Sequence, residues 1–448
     1  MARRIALTII ISALLFSAVA GTLPVYAAGD FWVSKGSMQE ARCGLGVAVV
    51  NGKIYAIGGA NQEGFRATNE VYDPATDTWA LKAPMPTPRS VFGVAFCHNK
   101  IYCFGGYIPG GATGVNEVYD PATDTWETKT PMTTPRLNLQ GNVVNDKIYL
   151  IGGNSNGTLN EVYDPTNDTW LTKASVPTAV SSYASAVIDN KIYVITSTLT
   201  QIYDAENDSW SMGAPAPLPT VFPSAAATTG VFAPERIYVF GHSVDSKMPF
   251  WQLTKTQDSI VQSYDPKTDT WTICASVPTG RFHASAAVVN DKLYVIGGFN
   301  LEYPTDRFTL NAKYIYSAVN EQYTPFGYGT VPPAVAVVSM ENKTYTSNNV
   351  SLTFSLGKSA VWMGYSFDGQ DNVTVDGNLT LIGLSSGLHN ITVYAKDTYG
   401  NIGASETINF TVAKETEPFP TALVATASAA SAAVVGVGLL VYFKKRNH

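Results

Sequence analysis

The stretch NEVYDPATDTW at residues 69–79 recurs letter for letter at 116–126 and returns as NEVYDPTNDTW at 160–170. A chain that repeats such text at a steady interval is building one structural unit several times over. Two further markers carry the period. An apolar run ending in glycine appears as IYAIGG (54–59), IYCFGG (101–106), IYLIGG (148–153) and LYVIGG (293–298), with IYVITS (192–197) and IYVFGH (237–242) as variants. A tryptophan keeps the same beat at Trp32, Trp79, Trp126, Trp170, Trp210 and Trp271, at spacings of 40 to 61 residues.

Each unit reads as four strands. In the first, GLGVAVV turns at Asn51-Gly52 into KIYAIGG, and NEVYD turns through Pro74-Ala75-Thr76 into DTWALKA. Asn-Gly suits a type I′ hairpin because both central residues need positive φ. Asp-Pro opens the second turn, with proline fixing φ at its second position. Asp73 and Asp77 bracket that turn and are expected to accept backbone hydrogen bonds, as Asx-turns do. Four-stranded units of this length, with Gly-Gly, Tyr and a downstream Trp, resemble the blades of kelch-repeat β-propellers over roughly residues 30–325. Units four and five depart from the pattern at Thr196-Ser197, Ala205 and Gly241-His242. The resemblance implies six blades, with each Trp wedged between neighbours. FWVSK carries Trp32 ahead of the first glycine run, and no tryptophan of the repeat follows the last. The N-terminal strand is therefore expected to complete the sixth blade and close the ring.

Repeated Glu70, Glu117 and Glu161 invite a reading as a carboxylate ring. The third strand of a blade lies far from the axis, so the repetition is read as structural instead. Arginine opens the innermost strand in four units, at Arg42, Arg89, Arg136 and Arg281, whereas units four and five carry Val180 and Val221 nearby. Those starts are expected at the mouth of the central channel. The kelch resemblance implies that arginines there bind acidic ligands, and a guanidinium suits a carboxylate by paired, coplanar hydrogen bonds. The alternative for the same residues is to cap strands or bond carbonyls of the next blade. The long loops after the fifth and sixth glycine runs hold Phe250, Trp251, Tyr303, Arg307 and Tyr316. Exposed aromatics with arginine are typical binding anchors, so Trp251, Tyr303 and Arg307 join the four arginines as the expected ligand site.

No HExxH, GxSxG or phosphate-loop motif is present, so no catalytic residue, metal or cofactor is assigned. Kelch-like copper oxidases need a tyrosine–cysteine–histidine constellation that these spacings do not assemble. The six-bladed sialic-acid mutarotases, with arginines at the mouth, supply the enzyme alternative. Cys43, Cys97, Cys103 and Cys274 are too few and too scattered for a disulfide framework or a zinc site. They read as small buried apolar residues.

Both ends carry targeting text. Arg3 and Arg4 precede the apolar run IALTIIISALLFSAVA, and small residues follow at 25–27, so residues 1–27 read as a secretory signal peptide. Residues 421–443 are uncharged and long enough to span a bilayer, and Lys444, Lys445 and Arg446 begin a short cytoplasmic tail at 444–448. Everything between is expected outside the cell. Removing the signal arginines and the three basic tail residues takes the formal charge from −6 to −11, which excludes nucleic acid as a partner.

The text changes at residue 331. NVSLTFSL and HNITVYAKD alternate apolar and polar residues, and LSSGLHNITVYAKDTYGNIG resembles a hairpin of prokaryotic Ig-like surface modules. Residues 331–413 are expected as an Ig-like β-sandwich with Leu388, Ile391, Val393 and Ala395 on the buried side and Trp362 in the core. Residues 414–420 form a juxtamembrane linker. Sequons stand at Asn156, Asn167 and Asn207 in residues 28–330, and at Asn342, Asn349, Asn372, Asn378, Asn390 and Asn409 beyond.

The fold expected is thus all-β: a six-bladed kelch-type β-propeller closed by its N-terminal strand, an Ig-like β-sandwich and one transmembrane helix. The function expected is a membrane-anchored surface protein, prokaryotic and of archaeal type by resemblance, that binds a protein or glycan on its propeller. The alternatives are a carbohydrate-acting enzyme of the mutarotase type and a structural component of the cell envelope.

Overall fold

The computed structural model describes residues 29–154, 156–197, 199–243, 259–302 and 313–414, and among these there is no helix. The chain divides into two compact units, at Thr330 and Val331. The expected signal peptide, the apolar segment 421–443 and the basic tail lie outside the described residues.

The first unit contains six four-stranded antiparallel sheets. Five are consecutive in sequence, running Gly46–Lys82, Gly93–Lys129, Gly141–Thr172, Ala184–Gly213 and Thr220–Cys274. The sixth takes strands Ser285–Val289, Lys292–Ile296 and Asn320–Thr324 from the end of the unit and Phe31–Lys35 from its start, with Trp32 opposite Tyr323. The innermost strands of consecutive sheets touch round a full circuit, the sixth meeting the first, so the sheets form a closed ring. Closure leaves no long free edge. Apolar cores lie between every pair of neighbouring sheets, Tyr72 packing with Tyr294 across the junction of first and last. This is why the second strands are apolar on both faces: Ile54, Tyr55, Ala56 and Ile57 are all buried.

The copied residues form the ties of this ring. In each sheet the tyrosine of the third strand stands opposite the tryptophan of the outer strand, with ring centroids 4.9–5.1 Å apart. Such aromatic pairs add about 0.5–1.5 kcal/mol beyond their burial. The indole nitrogen of Trp126 donates to the carbonyl of Ala83 in the preceding sheet at 2.9 Å, and the other five tryptophans repeat the bond. Asp73 makes the expected Asx-turn, accepting from the Ala75 amide at 2.9 Å. Asp77 does something else. It sits at φ 56° and accepts both the Tyr72 hydroxyl (2.6 Å) and the Gly36 amide (2.7 Å), which belongs to the exit of the sixth sheet. Asp124, Asp168, Asp208 and Asp269 repeat this tie, and Asp30 supplies it for the sixth sheet. These donors hold Asp77 and Asp124 below the ordinary carboxylate range, the tyrosine hydroxyl first and the backbone amide second.

The paired glycines have an equally definite task. Gly58 and Gly59 both adopt positive φ, and a Cβ on Gly58 would stand 2.8 Å from the carbonyl oxygen of Arg89. That carbonyl accepts the Gly59 amide at 2.9 Å.

The second unit is also all-β. Its strand Gly387–Lys396 pairs with Trp362–Phe367 on one side and Ile408–Val412 on the other. Val350–Leu352 pairs with Leu379–Leu381, while Phe354–Leu356, one residue further on, pairs with Val335–Val337. The core comprises Met340, Val350, Leu352, Leu381, Ile391, Val393, Phe410 and Val412. Two expectations fail here. Leu388 is 74% exposed, because its even position faces away from Ile391, Val393 and Ala395; buried His389 takes the inward place. Trp362 is half-buried beside the short strand Val373–Thr374, its indole bonded to the Thr374 hydroxyl, and Phe410 is the core aromatic.

Candidate functional site

The four arginines lie inside the sheets rather than at a channel mouth. Arg42, Arg89 and Arg136 have no exposed surface, and Arg281 is 5% exposed. Each pairs with the glutamate of its own sheet: Arg42 with Glu70 at 3.0 Å, Arg89 with Glu117 at 3.1 Å, Arg136 with Glu161 at 2.6 Å and Arg281 with Glu321 at 3.0 Å. The same guanidiniums bond backbone carbonyls, Arg42 reaching those of Ala56, Gly58 and Thr68. These belong to the arginine's own sheet, not to the next. Burial lowers the pKa of all four, and the facing glutamates oppose it for Arg42, Arg136 and Arg281 most directly. Burial brings the Arg281 guanidinium down to about 10, so it remains charged at physiological pH. A cation already paired and without surface offers nothing to an outside carboxylate.

Sheets four and five show what replaces the pair. Val180 and Val221 stand near the arginine position, and the glutamate becomes Gln201 and Gln262, both fully buried. Gln201 accepts from the Thr178 amide (2.8 Å) and donates to the Thr178 carbonyl (3.0 Å); Gln262 does the same with Leu218. Charge leaves both partners together. This co-substitution was readable in the sequence, and it identifies Glu70, Glu117, Glu161 and Glu321 as partners that the spacing argument missed.

The residues just after the arginines line an axial cavity of about 240 Å³ that draws on all six sheets. Its polar groups are Asn138, Gln140, Ser182, Tyr183, Ser185, Ser224, His283 and Ser285, and its lining contains no Lys, Arg, Asp or Glu. Tyr183 is committed to the frame, donating to the Ile151 carbonyl and accepting the Gln140 amide. Ser185 Oγ is buried and has no hydrogen-bond partner among the described residues. His283 keeps some accessible surface in the cavity yet lies deep in the ring, and burial pushes its pKa down to about 4, so it is neutral at physiological pH. The lining is therefore uncharged. Val91, Asn138, Phe222 and His283 take φ between 45° and 58° at this entrance. A β-branched or bulky residue rarely adopts that conformation, and such strain concentrates at functional sites.

An aromatic cluster borders the cavity where the fifth and sixth sheets meet. Phe222 lies 3.8 Å from the His283 ring, His242 lies 4.0 Å from Phe282, and Phe282 stacks on Phe299. Tyr314, 51% exposed, continues the series from Phe299. Trp251, Tyr303 and Arg307 lie outside the described residues, as does Phe250. Tyr316 is described and packs with the cluster. Of the sequon asparagines, Asn390 is half-buried, and Asn156, Asn167, Asn207, Asn342, Asn349, Asn372, Asn378 and Asn409 are exposed.

Known proteins share parts of this design. The family model described as the KLHDC2/KLHL20/DRC7 Kelch-repeats domain matches residues 32–197, and the Kelch motif matches residues 280–307. A stretch of 91 residues is 38% identical to halomucin of Haloquadratum walsbyi, covering 18% of this chain and 1% of that protein. A stretch of 52 residues is 40% identical to Kelch-like protein 5 of Homo sapiens, covering 12% of this chain and 7% of that protein. The chain thus spans only a small fraction of either curated relative. The structure of YjhT resembles this one with a TM-score of 0.51 at 16% identity, covering 63% of this chain and 95% of that one, which is a likeness of fold. Together these findings support a kelch-repeat protein with a propeller-type fold.

Proposed function

We propose that this protein is a cell-surface binding protein whose six-bladed propeller recognises a neutral glycan at its axial cavity. The observation that carries this reading is the uncharged lining: amide and hydroxyl groups from Asn138, Gln140, Ser182, Ser185 and Ser224, edged by the aromatic cluster of the fifth and sixth sheets. Sugar rings offer many hydroxyls to such groups and an apolar face to aromatic rings. The cavity lies just below the usual size of ligand sites, which suits one sugar ring of a longer chain. In this reading residues 331–413 form an Ig-like, glycosylated spacer, and residues 421–443 anchor the chain in the membrane. The apolar run beside a basic tail, the sequons and the short similarity to halomucin support that placement.

An array of neutral and acidic glycans probed with the full chain tests the proposal. Neutral glycans should bind, and Asn138→Ala and Gln140→Ala should each weaken them at least tenfold. Binding confined to acidic glycans, or indifferent to both substitutions, would overturn it. The mutarotase alternative has the fold likeness in its favour, but the lining gives a sugar carboxylate no cation to meet.

A further inference from the structure

The repeat gives a standard against which departures stand out. The innermost strand of most sheets ends in a branched aliphatic residue, Val50, Val144, Ile188 or Val289, followed by Asn51, Asn145, Asp189 or Asn290 at the turn. The second sheet breaks both habits at adjacent positions, with Cys97 and His98. The tight turn of the third sheet places Asp146 against this pair. His98 Nε2 stands 3.6 Å from Asp146 Oδ1, and Cys97 Sγ stands 3.7 Å from the Asp146 carbonyl oxygen. One sulfur, one ring nitrogen and one carboxylate oxygen from the three side chains all lie within 4.8 Å of one another. A zinc ion with bonds of about 2.0–2.3 Å holds its donors roughly 3.5 Å apart.

We propose that Cys97, His98 and Asp146 form a zinc site that clips the second sheet to the third, with a fourth coordination position left open to solvent. The donor set favours this ion. A thiolate with an imidazole selects a borderline or soft metal, and one carboxylate is too little oxygen for calcium or magnesium. Burial divides the roles sensibly. Cys97 is 4% exposed and enters from the core side, while His98 and Asp146 are 39% and 83% exposed and leave the ion reachable. The positive φ of His98 and Asp146, 47° and 59°, belongs to their hairpin turns, so the two turns carry the ligands on rigid supports. Spacing of cysteines in the sequence could not reveal the site, because its other ligands are a neighbour in sequence and a residue one repeat away.

Cobalt(II) substitution tests the proposal on the full chain, reduced and stripped of metal by a chelator. One equivalent of Co²⁺ should produce a thiolate-to-cobalt charge-transfer band, and one equivalent of Zn²⁺ should abolish it. Cys97→Val and His98→Asn install residues that other sheets carry at these places, so both variants should fold with an unchanged circular dichroism spectrum. Each should bind Zn²⁺ at least tenfold more weakly in calorimetry, as should Asp146→Asn, and Cys97→Val should lose the charge-transfer band. Absence of saturable binding at one ion per chain would overturn the proposal, and so would wild-type binding in the three variants.

Discussion

Replacing Arg89 by methionine should destabilise the ring far more than replacing Arg89 and Glu117 together. Arg89 and Glu117 are 0% and 3% exposed and lie 3.1 Å apart, and Glu117 also accepts the Thr87 hydroxyl at 2.6 Å. Arg89→Met keeps most of the side-chain volume but strands the Glu117 carboxylate in the interior, at a cost of about 3–5 kcal/mol. Glu117→Gln strands the guanidinium, at a similar cost. The double variant leaves no buried charge, and its glutamine can take the bidentate contact to Thr87 that Gln201 makes with Thr178. Apolar replacement of a whole buried pair is commonly neutral, so the double variant should lie within about 2 kcal/mol of the wild type. In thermal unfolding, at roughly 2–4 °C per kcal/mol for large domains, each single variant should melt roughly 6–20 °C lower and the double only a few degrees lower. The coupling can be read from a double-mutant cycle. A double variant that loses the sum of the two single losses would refute the reasoning, as would an Arg89→Met variant as stable as the wild type. Either result would mean that the pair is not the unit of substitution that sheets four and five imply.

Other consequences concern the ties and the second unit. Asp124→Ala removes the acceptor shared by the Tyr119 hydroxyl and the Ala83 amide, leaving a buried phenol unpaired; denaturant unfolding should show a loss of about 1–3 kcal/mol. Because Asp77 and Asp124 are held below the ordinary carboxylate range, their contribution is complete above the unfolded value of about 3.9 and is lost as pH falls through the folded one. Acid melting of the ring should therefore begin only below about pH 4, and alanine at both positions should flatten it. His389 works in the opposite sense. Its Nδ1 faces Asp368 at 2.7 Å and its Nε2 faces the Ser385 carbonyl at 2.7 Å, two acceptors that favour the protonated ring. Burial alone would lower its pKa, but the Ser385 carbonyl and Asp368 carboxylate raise it. Its stabilisation is complete below the unfolded value of about 6.5 and lost as pH rises through the folded one. An NMR titration of the ring protons should give a midpoint above about 6.5, and a midpoint below it would contradict this assignment.

Much of the first unit was legible because each marker has one job. Gly-Gly must sit against a neighbouring carbonyl, Tyr must meet Trp, and Trp32 without a later counterpart had to pair with the last sheet. The arginines were misplaced for a definite reason. Position along a strand tells where a backbone starts, but not whether a long side chain turns outward or back into its own sheet. The correction also lay in the text: in sheets four and five the arginine is missing and Gln201 and Gln262 replace the glutamate, and exchange of a buried pair explains why both changes come together. Leu388 shows the smaller error of phase, since a shift of one residue sends a side chain to the other face. Cys97, His98 and Asp146 were beyond the reach of spacing because two sheets must meet to assemble them.

Sheets four and five, which lose the pair, also differ from the others in the link between second and third strands. In three sheets the arginine also bonds the carbonyl at the end of the link between second and third strands, that of Thr68 in the first, Leu159 in the third and Val319 in the sixth, whereas Arg89 in the second bonds the Cys103 carbonyl. In the fourth sheet that link is short, with the Thr196 amide bonded to the Leu199 carbonyl. In the fifth the second strand ends at Ser243 and the third begins only at Ser259. The sixth sheet keeps Arg281 with a long link, in which Phe299–Glu302 pairs with Lys313–Tyr316 before Val319 accepts the guanidinium. Two patterns thus accompany a change in the link: the charge pair gives way to an uncharged residue and Gln, or a hairpin pairs the two ends of the insertion. The fifth and sixth sheets use one each, and between them stands the aromatic cluster of Phe222, Phe282 and Phe299. Variation in ligand choice should accumulate there, at the boundary where the repeat has been released from its own constraint.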